Sequence, residues 1–166
     1  MDGIKDILDK ISSYNIFNYL LPGILFVFIS KEIIGLNLIQ ENNLIGAFLY
    51  YFIGMVISRI GSIFIEPFLK KVNFLKFSDY SNFVTASKKD NKIELLSEVN
   101  NMYRTLLSML LTIIFLKGYL YLKLKWGLTH STTTIIVIIF LLLLFLFSYR
   151  KQTNYITKRI NANNQS

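Results

Sequence analysis

The chain has 166 residues, of which 53% are hydrophobic, 15% aromatic and only 17% charged, with a formal net charge of +8. Soluble domains carry roughly 25% charged residues, and here the apolar residues are gathered into long blocks, which argues against an ordinary soluble core. The absence of cysteine and the single histidine exclude a disulfide framework and leave too few ligands for a dedicated zinc or iron site.

Residues 1–13 place Ile4, Ile7, Leu8 and Ile11 on one face and Asp2, Lys5, Asp6, Asp9 and Lys10 elsewhere. This predicts an amphipathic helix of about three turns, lying on the inner membrane surface or packed on a partner subunit. Its mixed charge favours packing, and it lacks the basic start of a cleavable signal peptide. A first membrane span is expected over 16–34. Pro22 and Gly23 sit in its middle, where a kink or local break is expected because proline removes one backbone bond. A second span is expected over 44–65, about 33 Å of helix. A helical wheel sorts it into three arcs. Gly54, Ser58 and Gly61 form a small-residue ridge that permits close helix contact. Met55, Arg59, Ser62 and Glu66 lie beside that ridge, and Ile53, Ile57, Ile60 and Phe64 suit a lipid face. Pro67 is expected to end the helix.

Residues 67–104 form the one sizeable polar segment. Phe68, Phe74, Phe77, Tyr80 and Phe83 interleave there with lysines. Ser87 to Asp90 read as a loop, with Asp90 a helix N-cap. From Asn91 the helical pattern runs without Pro or Gly to about Leu122, so the third span, 105–122, has an extension outside the membrane. Tyr119, Tyr121 and Trp126 suit the outer interface. The fourth span, 132–148, has no polar side-chain atom from Ile135 to Phe147. The tail, 150–166, is polar and is expected to fray at its end. The fold class is therefore all-α: a four-helix transmembrane protein, one domain over 1–166, with an amphipathic N-terminal helix and a cytoplasmic extension of the third helix. Thirteen Lys and Arg residues fall in the amino end, the 67–104 segment and the tail, against four in the outer loops. The positive-inside rule then puts both termini in the cytoplasm, as for a multi-pass protein of a bacterial inner membrane.

No phosphate loop, nucleophile elbow or H-E-x-x-H motif is present, so no enzyme, metal or cofactor is expected. His130 is lone, at the outer end of a span. Two charged groups stand out. Arg59 and Glu66 lie two turns apart on one helix face, as an internal pair that fixes packing or as a ring of arginines lining a pore in an oligomer. Lys70, Lys71, Lys76, Lys88, Lys89 and Lys92, with neighbouring aromatic residues, suit a nucleotide or short single-stranded DNA. They equally suit topology-setting charge facing anionic membrane lipid.

The stretches SYNIFNYLLPG (Ser13 to Gly23), ISRIGSIFIEP (Ile57 to Pro67) and SEVNNMYRTLL (Ser97 to Leu107) resemble small four-span membrane effectors of bacterial anti-phage defence, of the Hailong channel type. The membrane subunit of Kiwa-type systems is a second resemblance. The first implies a homo-oligomeric ion channel, a tetramer being favoured. A nucleotidyltransferase from the same operon would supply the oligonucleotide that closes it. The second implies a sensor of membrane perturbation. The function expected is a ligand-gated channel acting as a toxic effector. The alternatives are a non-conducting sensor or scaffold that docks a soluble partner through residues 67–102 and, behind both, a membrane enzyme using the cytoplasmic acids.

Overall fold

The computed structural model describes residues 13–164, and the first twelve residues of the expected amphipathic helix lie outside them. The described residues form helices and no strand. In chain order the helices are α1 (Ile16–Ile34), α2 (Asn43–Lys71), α3 (Tyr80–Lys89), α4 (Lys92–Trp126) and α5 (His130–Asn164). All but α3 are long and apolar enough to cross a membrane. At 1.5 Å per residue, the 35 residues of α4 measure about 52 Å, well beyond a ~30 Å hydrocarbon core. The third membrane helix therefore extends out of the bilayer, as its unbroken pattern predicts.

Local chemistry sets the ends. The Asn42 side chain caps α2 by accepting from the backbone N–H groups of Leu44 and Ile45, at 2.9 and 3.1 Å. Asp90 Oδ1 accepts from Lys92 N–H at 2.9 Å, although the residue at the cap position of α4 is Asn91, one beyond the expected Asp90. Gly35 and Gly127 close α1 and α4 in the left-handed conformation, with φ of 68° and 61°.

The core lies among α1, α2 and α4, where Phe26, Val27, Ile57, Met109 and Ile113 are buried together. Ile57 is only 2% exposed, so it does not belong to the lipid face assigned to it with Ile53, Ile60 and Phe64. It follows Ser58 around the helix toward α4. Gly23 and Gly54 bring α1 and α2 to backbone contact. A methyl at Gly23 would overlap the Tyr50 carbonyl, and one at Gly54 the Tyr19 carbonyl. By contrast, α5 buries just 6% of its most apolar window, with Leu144 its one fully buried residue. Such a helix is apolar all round and faces lipid or another protein.

Three expectations about boundaries are corrected. Pro67 does not end α2, which continues to Lys71. Pro22 does not break α1. In both helices a π-turn, Ile16–Leu20 or Gly61–Ile65, precedes the proline and shifts the hydrogen-bond register so that the ring fits the start of the next α-turn. Residues Ser87 to Lys89 are the last turn of α3, not a loop; Val84 and Ser87 are buried, and Lys88 and Lys89 complement the C-terminal dipole. The polar tail beyond 150 is helical. It continues α5 to Asn164, since neither Gly nor Pro interrupts it and Tyr155 meets the Tyr80 ring edge-on at 4.8 Å.

The glycine contacts make a specific prediction. Gly54→Ala should destabilise the protein by about 1–3 kcal/mol through overpacking against the Tyr19 carbonyl. Gly118→Ala meets nothing within 4 Å and should raise stability by up to about 1 kcal/mol through helix propensity. Equilibrium unfolding of both variants in detergent checks the contrast.

Candidate functional site: the Glu66 cluster

Pro67 has no N–H, and the consequence falls on the carbonyls one turn earlier, Ile63 in α register and Ser62 in π register. In regular α-helix the Ser62 carbonyl would accept from Glu66 N–H. The π-turn gives that N–H to Gly61 instead. The next donor in π register would be residue 67, a proline. The Ser62 carbonyl is thus left without a backbone donor inside an apolar helix, where an unmet polar group costs several kcal/mol.

Lys151 on α5 supplies the missing donor. Its Nζ donates to the Ser62 carbonyl at 2.6 Å and to Ser62 Oγ at 2.7 Å. The same ammonium lies 3.8 Å from Glu66 Oε1. Glu66 also accepts from Arg104 Nη1 of α4 at 2.7 Å and from Lys70, one turn along α2, at 2.9 Å. The carboxylate is 14% exposed, so these contacts are poorly screened by solvent. Lys70 continues outward, its Nζ 4.0 Å above the Phe77 ring. One carboxylate therefore gathers α2, α4 and α5 and touches the start of the polar segment. Three cations around one anion leave the cluster net positive.

The contacts resolve the roles of the expected residues. Glu66 does not pair with Arg59, which is half-buried and makes no ion pair among the described residues. The ridge Gly54, Ser58 and Gly61 is used within the chain. Gly54 meets α1, Ser58 Oγ accepts from Thr105 Oγ1 at 3.2 Å, and Gly61 abuts Arg104 and Ser108. The ridge therefore gives no support to an oligomer, because α1 and α4 already cover it. Lys70 is committed to Glu66, whereas Lys71, Lys76, Lys88, Lys89 and Lys92 are exposed.

Arg104, Thr105, Ser108 and Lys151 were not singled out by the sequence reading. The polar positions Asn101, Thr105, Ser108 and Thr112 recur at helical spacing through an apolar stretch of α4, a stripe that marks a helix contact. Ser108 Oγ donates to the Ile57 carbonyl at 2.8 Å in that contact. No group of three or more His, Cys, Asp or Glu able to hold a metal occurs among the described residues. Ser62 Oγ is held by the Lys151 ammonium at 2.7 Å at the centre of the cluster. The cluster is net positive. It can attract an anion, and it can couple movement of the polar segment to that of three helices. No protein-family model matches this chain, nor does any curated protein or solved structure.

The origin of the Ser62–Lys151 contact is open to a double-mutant cycle. Lys151→Met should destabilise by about 1–3 kcal/mol by leaving the Ser62 carbonyl unmet. In a Pro67→Ala background, where residue 67 can donate, the same change should cost less by about 1 kcal/mol or more. Equal costs in both backgrounds would mean that Pro67 does not create the need for Lys151. Glu66→Gln removes the anion from three cations and should destabilise by about 3–5 kcal/mol in detergent unfolding.

Proposed function

We propose that the protein is the subunit of an oligomeric membrane ion channel, a toxic effector of bacterial anti-phage defence gated by a cytoplasmic nucleotide or short oligonucleotide. The observation that carries this reading is the Glu66 cluster. Lys70 belongs both to that cluster and to the basic segment that would meet the ligand, so charge brought to the segment acts directly where Glu66 joins α2, α4 and α5. The topology from charge counting supports a bacterial inner membrane with both termini cytoplasmic. The polar arc of α2 is engaged by α4 and α5, so in this reading the conducting path forms between copies. The exposed α5 is the surface available for assembly, a tetramer being favoured. The resemblance of Ser13 to Gly23, Ile57 to Pro67 and Ser97 to Leu107 to Hailong-type effectors adds the defence role and the partner nucleotidyltransferase.

A second reading rests on a different observation. Phe68, Phe74 and Phe77 are 63, 76 and 50% exposed on the polar segment. Aromatic surface of that kind suits a soluble protein partner docked on residues 67–102, with the chain acting as a non-conducting sensor or scaffold.

Purified protein in a planar bilayer separates the two. Current is expected, and it should rise when bound nucleotide is stripped away. Absence of current under every condition, stripped protein included, rejects the channel. Lys88→Glu with Lys89→Glu should weaken nucleotide retention by about tenfold or more, or about 1.4 kcal/mol. Unchanged retention would remove these two lysines from the binding surface.

A further inference from the structure

Where α5 leaves its apolar block it becomes polar, yet three large side chains there are not covered by their own chain. Tyr149, Ile156 and Ile160 are 76, 51 and 54% exposed. The 35 residues of α5 measure about 52 Å, more than a ~30 Å hydrocarbon core can hold. The apolar block ends at Phe147, and Arg150 and Lys151 follow. Ile160 lies about 16 Å along the helix beyond Tyr149, past a headgroup layer of roughly 5–8 Å a side. Lipid can cover exposed leucine inside the bilayer, but it does not reach Ile156 and Ile160.

These residues continue a stripe that begins in the apolar block. Ile139, Leu142, Leu146, Tyr149, Thr153, Ile156 and Ile160 follow one another at alternating steps of three and four, and all are exposed. Within a run of leucine and isoleucine any spacing can be found. The tail is the informative part, because over residues 149–160 the one aromatic or aliphatic side chain off the stripe is Tyr155. Tyr155 rests against Tyr80. At 100° per residue it shares a face with Leu144, which is buried, and Lys151, which reaches Ser62. That face lies opposite the stripe. One side of α5 is therefore engaged within the chain, and the other runs uncovered from the bilayer into water.

A cover must follow the stripe across that boundary. Lipid matches the first part alone, and a soluble protein the second part alone. A second α5 matches both, since copies inserted with the same topology run parallel. The spacing is that of a parallel coiled coil, with Ile139, Leu146, Thr153 and Ile160 at one core position and Leu142, Tyr149 and Ile156 at the other. In the tail the flanking positions then oppose Gln152 to Thr157 and Arg159 to Asn164, so no like charges meet although the tail is basic. The exposed apolar side chains of the stripe offer on the order of 700 Å², close to the ~800 Å² that each partner gives to a standard stable interface. Isoleucine at both core positions, as at Ile156 and Ile160, shifts coiled coils from two strands toward three or four.

We propose that α5 pairs with α5 of a second copy of this chain along Ile139 to Ile160, as a parallel coiled coil that continues out of the bilayer. The proposal rests on the oligomer in the channel reading and names its contact; ion conduction does not enter it. Because the opposite face of α5 carries Lys151, the seam joins the Glu66 clusters of neighbouring copies through one helix from each.

The chain has no cysteine, so single substitutions report without background. Thr153→Cys, Ile156→Cys and Ile160→Cys lie on the stripe, and Asn154→Cys, Lys158→Cys and Asn161→Cys are exposed off it. Each full chain is reconstituted in vesicles of phosphatidylethanolamine and phosphatidylglycerol and treated with a short bis-maleimide. Crosslinked dimer should form at the stripe positions with about fivefold or greater yield than at the others. Equal yield at all six, or none on the stripe, overturns the pairing. An Ile160→Cys chain that links to a Leu96→Cys chain, on the exposed extension of α4, but not to itself puts α4 on the stripe and also overturns it. Ile156→Asp with Ile160→Asp, both on the exposed stripe, should weaken self-association by about tenfold in native mass spectrometry. Unchanged association counts against the seam. Stripe-selective crosslinks without current would keep the coiled coil and remove the channel, whereas current without them would keep the channel and remove the coiled coil.

Discussion

A proline within a membrane helix removes a backbone donor where no water can replace it. This chain meets that constraint twice, at Pro22 and at Pro67, and the local response is the same each time. A five-residue π-turn precedes the ring by one residue, which spares a break in the helix and leaves the deficit on carbonyls of that turn. What differs is the environment supplied there. The Ser62 carbonyl meets a lysine from another helix, whereas beside the first turn the buried Asn18 donates its Nδ2 to the Tyr14 carbonyl. One backbone device thus accompanies a crosslink between helices at one site and a local side-chain contact at the other.

The crosslink matters because α5 has little else to hold it. Its apolar stretch buries Leu144 and meets Phe52 through Phe145, with ring centroids 6.3 Å apart. The stronger ties are beyond the apolar stretch, at Lys151 and at Tyr155 against Tyr80. Ion pairs and hydrogen bonds of this kind act at short range and depend on geometry, whereas apolar contact along α5 is nondirectional and equally available from lipid. The position of α5 therefore depends on the charge state and conformation of groups near Glu66 more than on its own hydrophobicity.

The spans were legible because a run of apolar residues long enough to cross a bilayer has few other uses. Glu66 was legible as an anomaly for the same reason. Its partners were not. Arg104 is 38 residues away and Lys151 lies 89 residues from Ser62, and no local period links them. Arg104 was absorbed into a count of topology-setting charge, which hid its place on the polar stripe with Thr105 and Ser108. Arg59, two turns back on the same helix face, was the natural and incorrect partner, whereas Lys70, one turn on, does pair with Glu66. The π-turns escaped for another reason: a register shift of one hydrogen bond changes neither composition nor apolar periodicity, and only the prolines downstream mark it. Misassigning Ser87 to Lys89 as loop came from polar composition alone. α3 and the last part of α5 meet through the Tyr80–Tyr155 contact, which neither segment displays separately.

The glycine contact between α1 and α2 restricts what can move. With Gly23 set against the Tyr50 carbonyl and Gly54 against the Tyr19 carbonyl, main chain meets main chain at two levels. Side chains can adopt new rotamers to let helices slip, but backbone atoms at van der Waals contact have no such freedom. Rotation of α1 about its axis would drive a larger side chain from beside Gly23 into α2. The two helices therefore form a single stiff bar across the membrane, and any change of shape is confined to the helices that lean on it.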